Sequence, residues 1–294
     1  MEKPANNAYQ TSCTDIFDFN KMSKVRKVLE DAKEHNITEI DLVDKSIASF
    51  EDMPGLWSMY NVTRLTLSHN KIKSVPPSIA NLVNLEVLTL FNNHIEELPT
   101  SISSLPKLKI LNLGMNRLNS LPRGFGAFPQ LEVLDLTYNN LNEKTLPGNF
   151  FMLETLRALY FGDNDFEKIP AEIGNLKNLQ ILCFRENDLI SLPKEIGQLT
   201  RLRELHIQGN ALTLLPPEMG NIDLISQRCV VRMDNNEWLP PIADQLAIGV
   251  SHVIEFIRTD TYKFIYDRNA QQGNSAPRKP KDKSKKISCK RDHN

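Results

Sequence analysis

The sequence predicts an α/β solenoid: one curved parallel sheet on a concave face, short helical segments on the convex face, and a helical cap at each end. Three observations carry this prediction. The stretch LTLSHN (65–70) returns six more times, as LTLFNN (88–93), LNLGMN (111–116), LDLTYN (134–139), LYFGDN (159–164), LCFREN (182–187) and LHIQGN (205–210). The returns are 23 residues apart, apart from a single spacing of 25. Seven prolines, Pro76, Pro99, Pro122, Pro147, Pro170, Pro193 and Pro216, keep the same register.

Each unit reads LxxLxLxxNxL, as in Leu85, Leu88, Leu90, Asn93 and Ile95. A period of this size with this pattern is the signature of a leucine-rich-repeat solenoid. Side chains alternate across a strand, so Leu88 and Leu90 face one side while Val87, Thr89 and Phe91 face the other. The first face stacks into a continuous core, and the second is free. The asparagines (Asn70, Asn93, Asn116, Asn139, Asn164, Asn187, Asn210) stand where the chain leaves the strand. An amide has donors and an acceptor, so each is expected to pair backbone groups of its own turn and of the next. A leucine there would strand those groups at about 1–3 kcal/mol each. The following LPxxIxxL segment places apolar residues three apart behind a proline, which suits a short helical or 3₁₀ turn.

Taken in order, residues 1–22 carry few core-type residues and are expected to be disordered. Val25, Val28, Leu29 and Ala32 share one helical face, predicting a cap helix within residues 23–36. Repeats are expected over about 37–228. ITEIDLVDKSI (37–47) is a degenerate first repeat in which Lys45 replaces the asparagine, and terminal repeats are atypical in this way. Regular repeats open at Val62, Leu85, Leu108, Leu131, Leu156, Leu179 and Leu202. The one at 131–155 is two residues longer, with its excess at 142–145, on a loop edge. CVVRMDNNEW (229–238) is a partial last repeat. Ile242, Leu246, Val250, Val253, Ile254, Ile257 and Tyr262 recur at helical spacing, predicting one or two closing helices in a cap over about 229–266. A membrane-binding role for this stretch is the sharper alternative. Residues 267–294 are expected to be a basic disordered tail containing KPKDKSKK (279–286), a candidate nuclear-import or anionic-surface signal.

Composition suits a soluble globular protein, with 24% charged and 40% hydrophobic residues. No run of 18 apolar residues occurs, so no transmembrane helix is expected, nor is there a secretory leader pattern. The four cysteines (Cys13, Cys183, Cys229, Cys289) lie far apart and do not form paired caps, which predicts free thiols in a reducing compartment. Cys183 falls on the free strand face, where an exposed but ordinary cysteine is expected and a reactive thiol is the sharper alternative. Net charge is −1, but residues 270–294 carry eight Lys/Arg against two Asp, so a basic tail follows a mildly acidic body.

Chemistry-bearing motifs are lacking. There is no Gly-rich phosphate loop, HExxH, CxxC or GxSxG, and the six histidines have no metal-type spacing. Glu86 and Glu132 read as solvated charges beside the strands. The chain is therefore expected to be a binding scaffold rather than an enzyme, with no cofactor and no direct nucleic-acid partner. The free strand positions form columns. One reads Thr66, Thr89, Asn112, Asp135, Tyr160, Cys183, His206; two flanking columns carry Phe91, Gly114, Gly162 and Arg185, and Met115, Tyr138 and Asp163. Strands lie about 4.8 Å apart, so Phe91, Met115, Tyr138 and Tyr160 span only about 15 Å. An exposed apolar cluster of this kind, rimmed by charges, reads as a protein-binding patch. The candidate site is Phe91, Asn112, Met115, Asp135, Tyr138, Tyr160, Asp163 and Arg185, with aromatic anchors, orienting charges, and room over Gly114 and Gly162 for an inserted side chain.

The segments LTLSHNKI, FNNHIEELP, LNLGMNRLNSLPRGFG, LEVLDLTYNNL, LPGNFF, DNDLISLPKEIG, LHIQGN and VSHVIEFIR, with the lysine-rich KDKSKKIS end, resemble the Ras suppressor family of animals over about residues 22–290. That resemblance implies a cytoplasmic adaptor at integrin-based cell–matrix adhesions; the chain alone is expected to be monomeric. The resemblance also implies binding to the zinc-bearing C-terminal LIM domain of PINCH, a link through it to integrin-linked kinase and parvin, and restraint of Ras-dependent signalling. The alternative within the same repeat class is a regulatory scaffold subunit of a phosphatase or small-GTPase complex.

Overall fold

A computed structural model describes residues 13–272; residues 1–12 and the lysine-rich end with its KPKDKSKK stretch lie outside the described residues. Nine strands form one parallel sheet in chain order. They are β1 (Glu39–Asp41), β2 (Arg64–Thr66), β3 (Val87–Thr89), β4 (Ile110–Asn112), β5 (Val133–Asp135), β6 (Ala158–Tyr160), β7 (Ile181–Cys183), β8 (Glu204–His206) and β9 (Val230–Arg232). The sequence repeat sets the register, so Leu65, Leu88, Leu111, Leu134, Leu159, Leu182 and Leu205 are direct neighbours. These leucines are fully buried, as are Leu67, Leu90, Leu113 and Leu136 two positions on.

Each strand is three residues long because the asparagine turn follows at once. Asn116 shows why that residue is required. Its Oδ1 accepts from the Ile95 amide at 3.0 Å, and its Nδ2 donates to the Leu90 and Leu113 carbonyls at 2.9 Å. Asn93, Asn139, Asn187 and Asn210 repeat the pattern. The ladder thus joins each turn to the preceding repeat, not to the following one as the sequence reading had it. The reason is geometric: the carbonyls and amides left open by one strand's exit face the asparagine of the next. Asn236 adds a final rung, accepting from the Leu212 amide at 3.1 Å. The residue before each asparagine is bent into the left-handed region. His69, Asn92, Met115, Tyr138, Asp163 and Glu186 have φ between 52° and 59°. Such a conformation costs a non-glycine residue on the order of 1 kcal/mol.

The convex side is built from short 3₁₀ helices. Five of them start directly after Pro76, Pro99, Pro170, Pro193 and Pro216. The proline carbonyl accepts from the amide three residues on, as in Ile79 to Pro76 at 3.1 Å. The two extra residues at 142–145 form their own 3₁₀ turn, Glu143–Thr145, capped by Asn142.

Both ends are closed by helices. Helix α1 (Cys13–Glu34) buries Val25, Leu29 and Ala32. It starts inside the stretch expected to be disordered. Elongating a docked helix is far easier than nucleating one, so the pattern at 24–34 sets only where it docks. At the other end there are three helices, α2 (Pro240–Ile248), α3 (Val250–Ile257) and α4 (Asp260–Gln272), where one or two were expected. Gly249 separates the first pair, and α4 runs past the expected start of the tail at 267. Ile242, Val253, Ile254, Ile257 and Tyr262 are buried, so the helical apolar face covers the solenoid end. No helix among the described residues is long and apolar enough to cross a membrane.

Candidate protein-binding face

The eight candidate residues sit on five consecutive repeats. Asn112, Asp135 and Tyr160 end β4, β5 and β6, and are in register with Cys183 and His206. Phe91 and Arg185 lie two residues past β3 and β7. Met115, Tyr138 and Asp163 occupy the left-handed turn positions.

Six of these side chains form two clusters, Phe91, Asn112 and Asp135 over Gly114, and Tyr138, Asp163 and Arg185 by Gly162. A Cβ on Gly114 would lie 3.1 Å from Phe91, 3.3 Å from Asn112 Oδ1 and 3.4 Å from Asp135 Oδ1. A Cβ on Gly162 would lie 2.9 Å from the Arg185 stem. The space expected for an inserted partner side chain is therefore filled by the protein's own Phe91 and Arg185. Glycine at these two positions lets a neighbouring strand's side chain lie flat on the sheet.

Polar geometry is correspondingly fixed. Asn112 Oδ1 accepts from the Gly114 amide and Asp135 Oδ1 from the Thr137 amide, both at 2.9 Å, which locks each side chain against its own turn. Arg185 pairs with Asp163 at 3.0 Å and lies 5.4 Å from the centre of the Tyr138 ring. Those two charged side chains are only 33% and 17% exposed, so the pair is partly shielded from water. Shielding strengthens it relative to an open surface pair. Asp163 and Arg185 thus act as one unit rather than as independent rim charges. Phe91 also meets the His69 ring edge-on at 5.5 Å. Tyr160 lies beside Asp135, and burial, with the acidic neighbours Glu204 and Asp135, pushes its phenol above the ordinary value.

Three further expectations are corrected. The aromatic set is half-buried rather than exposed. The most exposed large apolar side chains, Phe264 (70%), Met152 (68%) and Ile248 (65%), lie off this face. Side chains from adjacent strands, about 4.8 Å apart, lie against one another and cover each other. Cys183 is on the face but buried, and that burial raises its thiol above the ordinary value, so it is not an accessible thiolate. Glu86 and Glu132 are not lone solvated charges: they pair across strands with Lys109 at 2.8 Å and Arg157 at 3.4 Å. Among the described residues, no three His, Cys, Asp or Glu side chains are placed to hold a metal ion. Sequence reasoning missed His69 as a partner of Phe91, although its column position was the available signal.

A family model of the leucine-rich repeat region matches residues 40–146 and 118–247. Among solved structures, internalin InlF of Listeria monocytogenes aligns over 73% of this chain and 59% of its own, at 19% identity and a TM-score of 0.61. The leucine-rich-repeat ectodomain of the Arabidopsis thaliana receptor kinase GASSHO1/SCHENGEN3 aligns over 67% of this chain and 24% of its own, at 28% identity and a TM-score of 0.58. Much closer in sequence is mouse Ras suppressor protein 1, 66% identical over 92% of this chain and 98% of the relative. The cow and human proteins of the same name are each 62% identical over the same shares. Identity at this level over nearly the whole of each relative, together with the repeat-model match, shows that the chain belongs to the Ras suppressor protein family of leucine-rich-repeat proteins.

Proposed function

We propose that this chain is a non-enzymatic adaptor that clasps a folded domain on its concave face. The occupant is the C-terminal LIM domain of a PINCH protein. Through it the chain joins integrin-linked kinase and parvin at cell–matrix adhesions in the cytoplasm and bears on Ras-linked signalling. The observation that carries the reading is the pre-ordered Tyr138–Arg185–Asp163 unit beside Tyr160, in a chain 62–66% identical to Ras suppressor protein 1. Aromatic and arginine side chains held in one conformation lose little entropy on binding, which is the profile of an interface hot spot. Large half-buried rings also offer apolar area without an unstable open patch.

Calorimetric titration with the C-terminal LIM domain tests this. The native chain binds, and Tyr160→Ala/Arg185→Glu weakens binding at least a hundredfold with an unchanged circular dichroism spectrum. Equal binding by both proteins would move the site off the concave face. Absence of binding by either would favour the second reading, a regulatory scaffold of a phosphatase or small-GTPase complex, which predicts copurification with a catalytic subunit.

A further inference from the structure

A second surface, on the edge where the strands begin, shows an ordered charge pattern with one lapse. The residues immediately before β3 to β9 are Glu86, Lys109, Glu132, Arg157, Gln180, Arg203 and Cys229. Acid and base alternate, and the first four pair across the sheet as Glu86–Lys109 and Glu132–Arg157. The alternation fails at Gln180, so Arg203 follows a neutral neighbour. Arg201 and Arg228 stand beside it, and all three arginines are exposed. Among the described residues, no carboxylate comes within ion-pair distance of Arg201, Arg203 or Arg228. Arg201 instead donates to the neutral Asn178 side chain at 2.6 Å.

These arginines line a groove of about 930 Å³ together with Gln180, Asp223 and Cys229. An adjoining groove of about 380 Å³ shares Gln180 and Arg201 and extends to the Arg157–Glu132 ion pair. Asp223 is turned to its own loop, accepting from the Ile225 and Ser226 amides and the Ser226 hydroxyl. Four arginines, Arg157, Arg201, Arg203 and Arg228, against the two carboxylates Asp223 and Glu132 leave the grooves with a net positive charge. Among the described residues β9 is the last strand of the sheet and pairs with β8 alone.

Guanidinium forks match carboxylates in a bidentate way, and the cations facing the groove are all arginines. From β6 to β9 is three strand spacings, about 15 Å, the reach of four or five extended residues at about 3.3 Å each. A recessed channel of this length suits a chain segment better than a flat membrane surface.

We propose that this strand-start edge is a second docking site, taking an extended segment rich in glutamate or aspartate from a partner protein, with one carboxylate beside Arg203 and Gln180 where the acid–base alternation lapses. This site is independent of the concave face, and would let one solenoid hold two partners at once.

Cys229 provides the readout, because its half-buried thiol lines the groove. The rate of its alkylation by iodoacetamide in the full chain is followed by peptide mapping, with and without a decaglutamate peptide. Decaglutamate is expected to slow Cys229 at least fivefold while leaving Cys183 unchanged, and Cys289 reports separately on the lysine-rich end. Arg203→Glu and Gln180→Glu should each remove the protection, the first by reversing the charge and the second by supplying an internal carboxylate. Three outcomes would overturn the proposal: no slowing in the native chain, protection that survives both substitutions, or slowing by anionic vesicles or RNA but not by decaglutamate.

Discussion

At Gly162 a missing side chain decides where a charged one lies. Arg185 crosses the glycine to reach Asp163, and a methyl group there would sit 2.9 Å from its stem. The stem can move, so Gly162→Ala is expected to fold but to lift Arg185 off the sheet and break its alignment with Tyr138 and Asp163. LIM-domain affinity should fall about tenfold, roughly 1.4 kcal/mol, with a urea midpoint close to that of the native chain. An unchanged affinity would show that the placement of Arg185 is immaterial to binding. The residue scale is also where the sequence was least legible. The columns of the free face could be written down from the repeat alone, which located all eight candidate residues. Which side chains lean on which neighbours could not. Phe91 and Arg185 lie over glycines of a neighbouring strand, and the side-chain conformations that put them there are not contained in a linear pattern. The burial of Cys183 was not legible for the same reason.

At the scale of the element, the C-terminal cap shows how a helix is fastened to a repeat. The Tyr262 hydroxyl donates to the Leu215 carbonyl at 2.6 Å and accepts from the Leu215 amide at 3.0 Å. Both backbone groups are buried, and the phenol is the partner that α4 brings to them. Tyr262→Phe leaves them unpaired, at a cost of about 1–3 kcal/mol in chemical denaturation. Burial holds the Tyr262 phenol well above its ordinary value in the folded chain. The unfolded phenol ionises near pH 10 while the folded one stays protonated. Stability from this group is thus complete below about pH 10 and declines as pH rises further. Native protein should lose stability above pH 10 more steeply than Tyr262→Phe, and parallel pH profiles would refute the assignment. Helical spacing in the sequence revealed that Tyr262 faces the core. That it closes a specific pair of backbone groups 47 residues away was not legible, since no local pattern encodes a contact between a cap and a repeat.

Over the whole molecule, stability is a sum of contacts between neighbouring repeats, because no repeat buries its own face alone. The asparagine ladder and the leucine columns make most of these interfaces alike. One stretch differs. Phe150, Phe161, Phe166 and Phe184 form a run of tilted and edge-on rings with centroids 4.7–5.6 Å apart, next to the lengthened repeat. Truncating the central ring, Phe161→Ala, should cost about 3–5 kcal/mol. It should also divide one cooperative urea transition into two, because the interface joining the halves is weakened. A single transition, merely shifted, would contradict this view of the chain as coupled halves. The solenoid itself was legible in the repeat period, the alternation of leucines and the ladder asparagines. The number of closing helices and the start of α1 were not, because terminal repeats drop the pattern that carries the signal.

In the proposed complex the concave face, and no other, receives the folded partner. Amide hydrogen exchange of the full chain, free and saturated with the C-terminal LIM domain of PINCH, tests it most directly. Exchange should slow at the turns that follow β4 to β7, residues 114–115, 137–138, 162–163 and 185–186, with the convex 3₁₀ segments unchanged. Slowing confined to the convex side, to the strand-start edge or to the helical caps would contradict it.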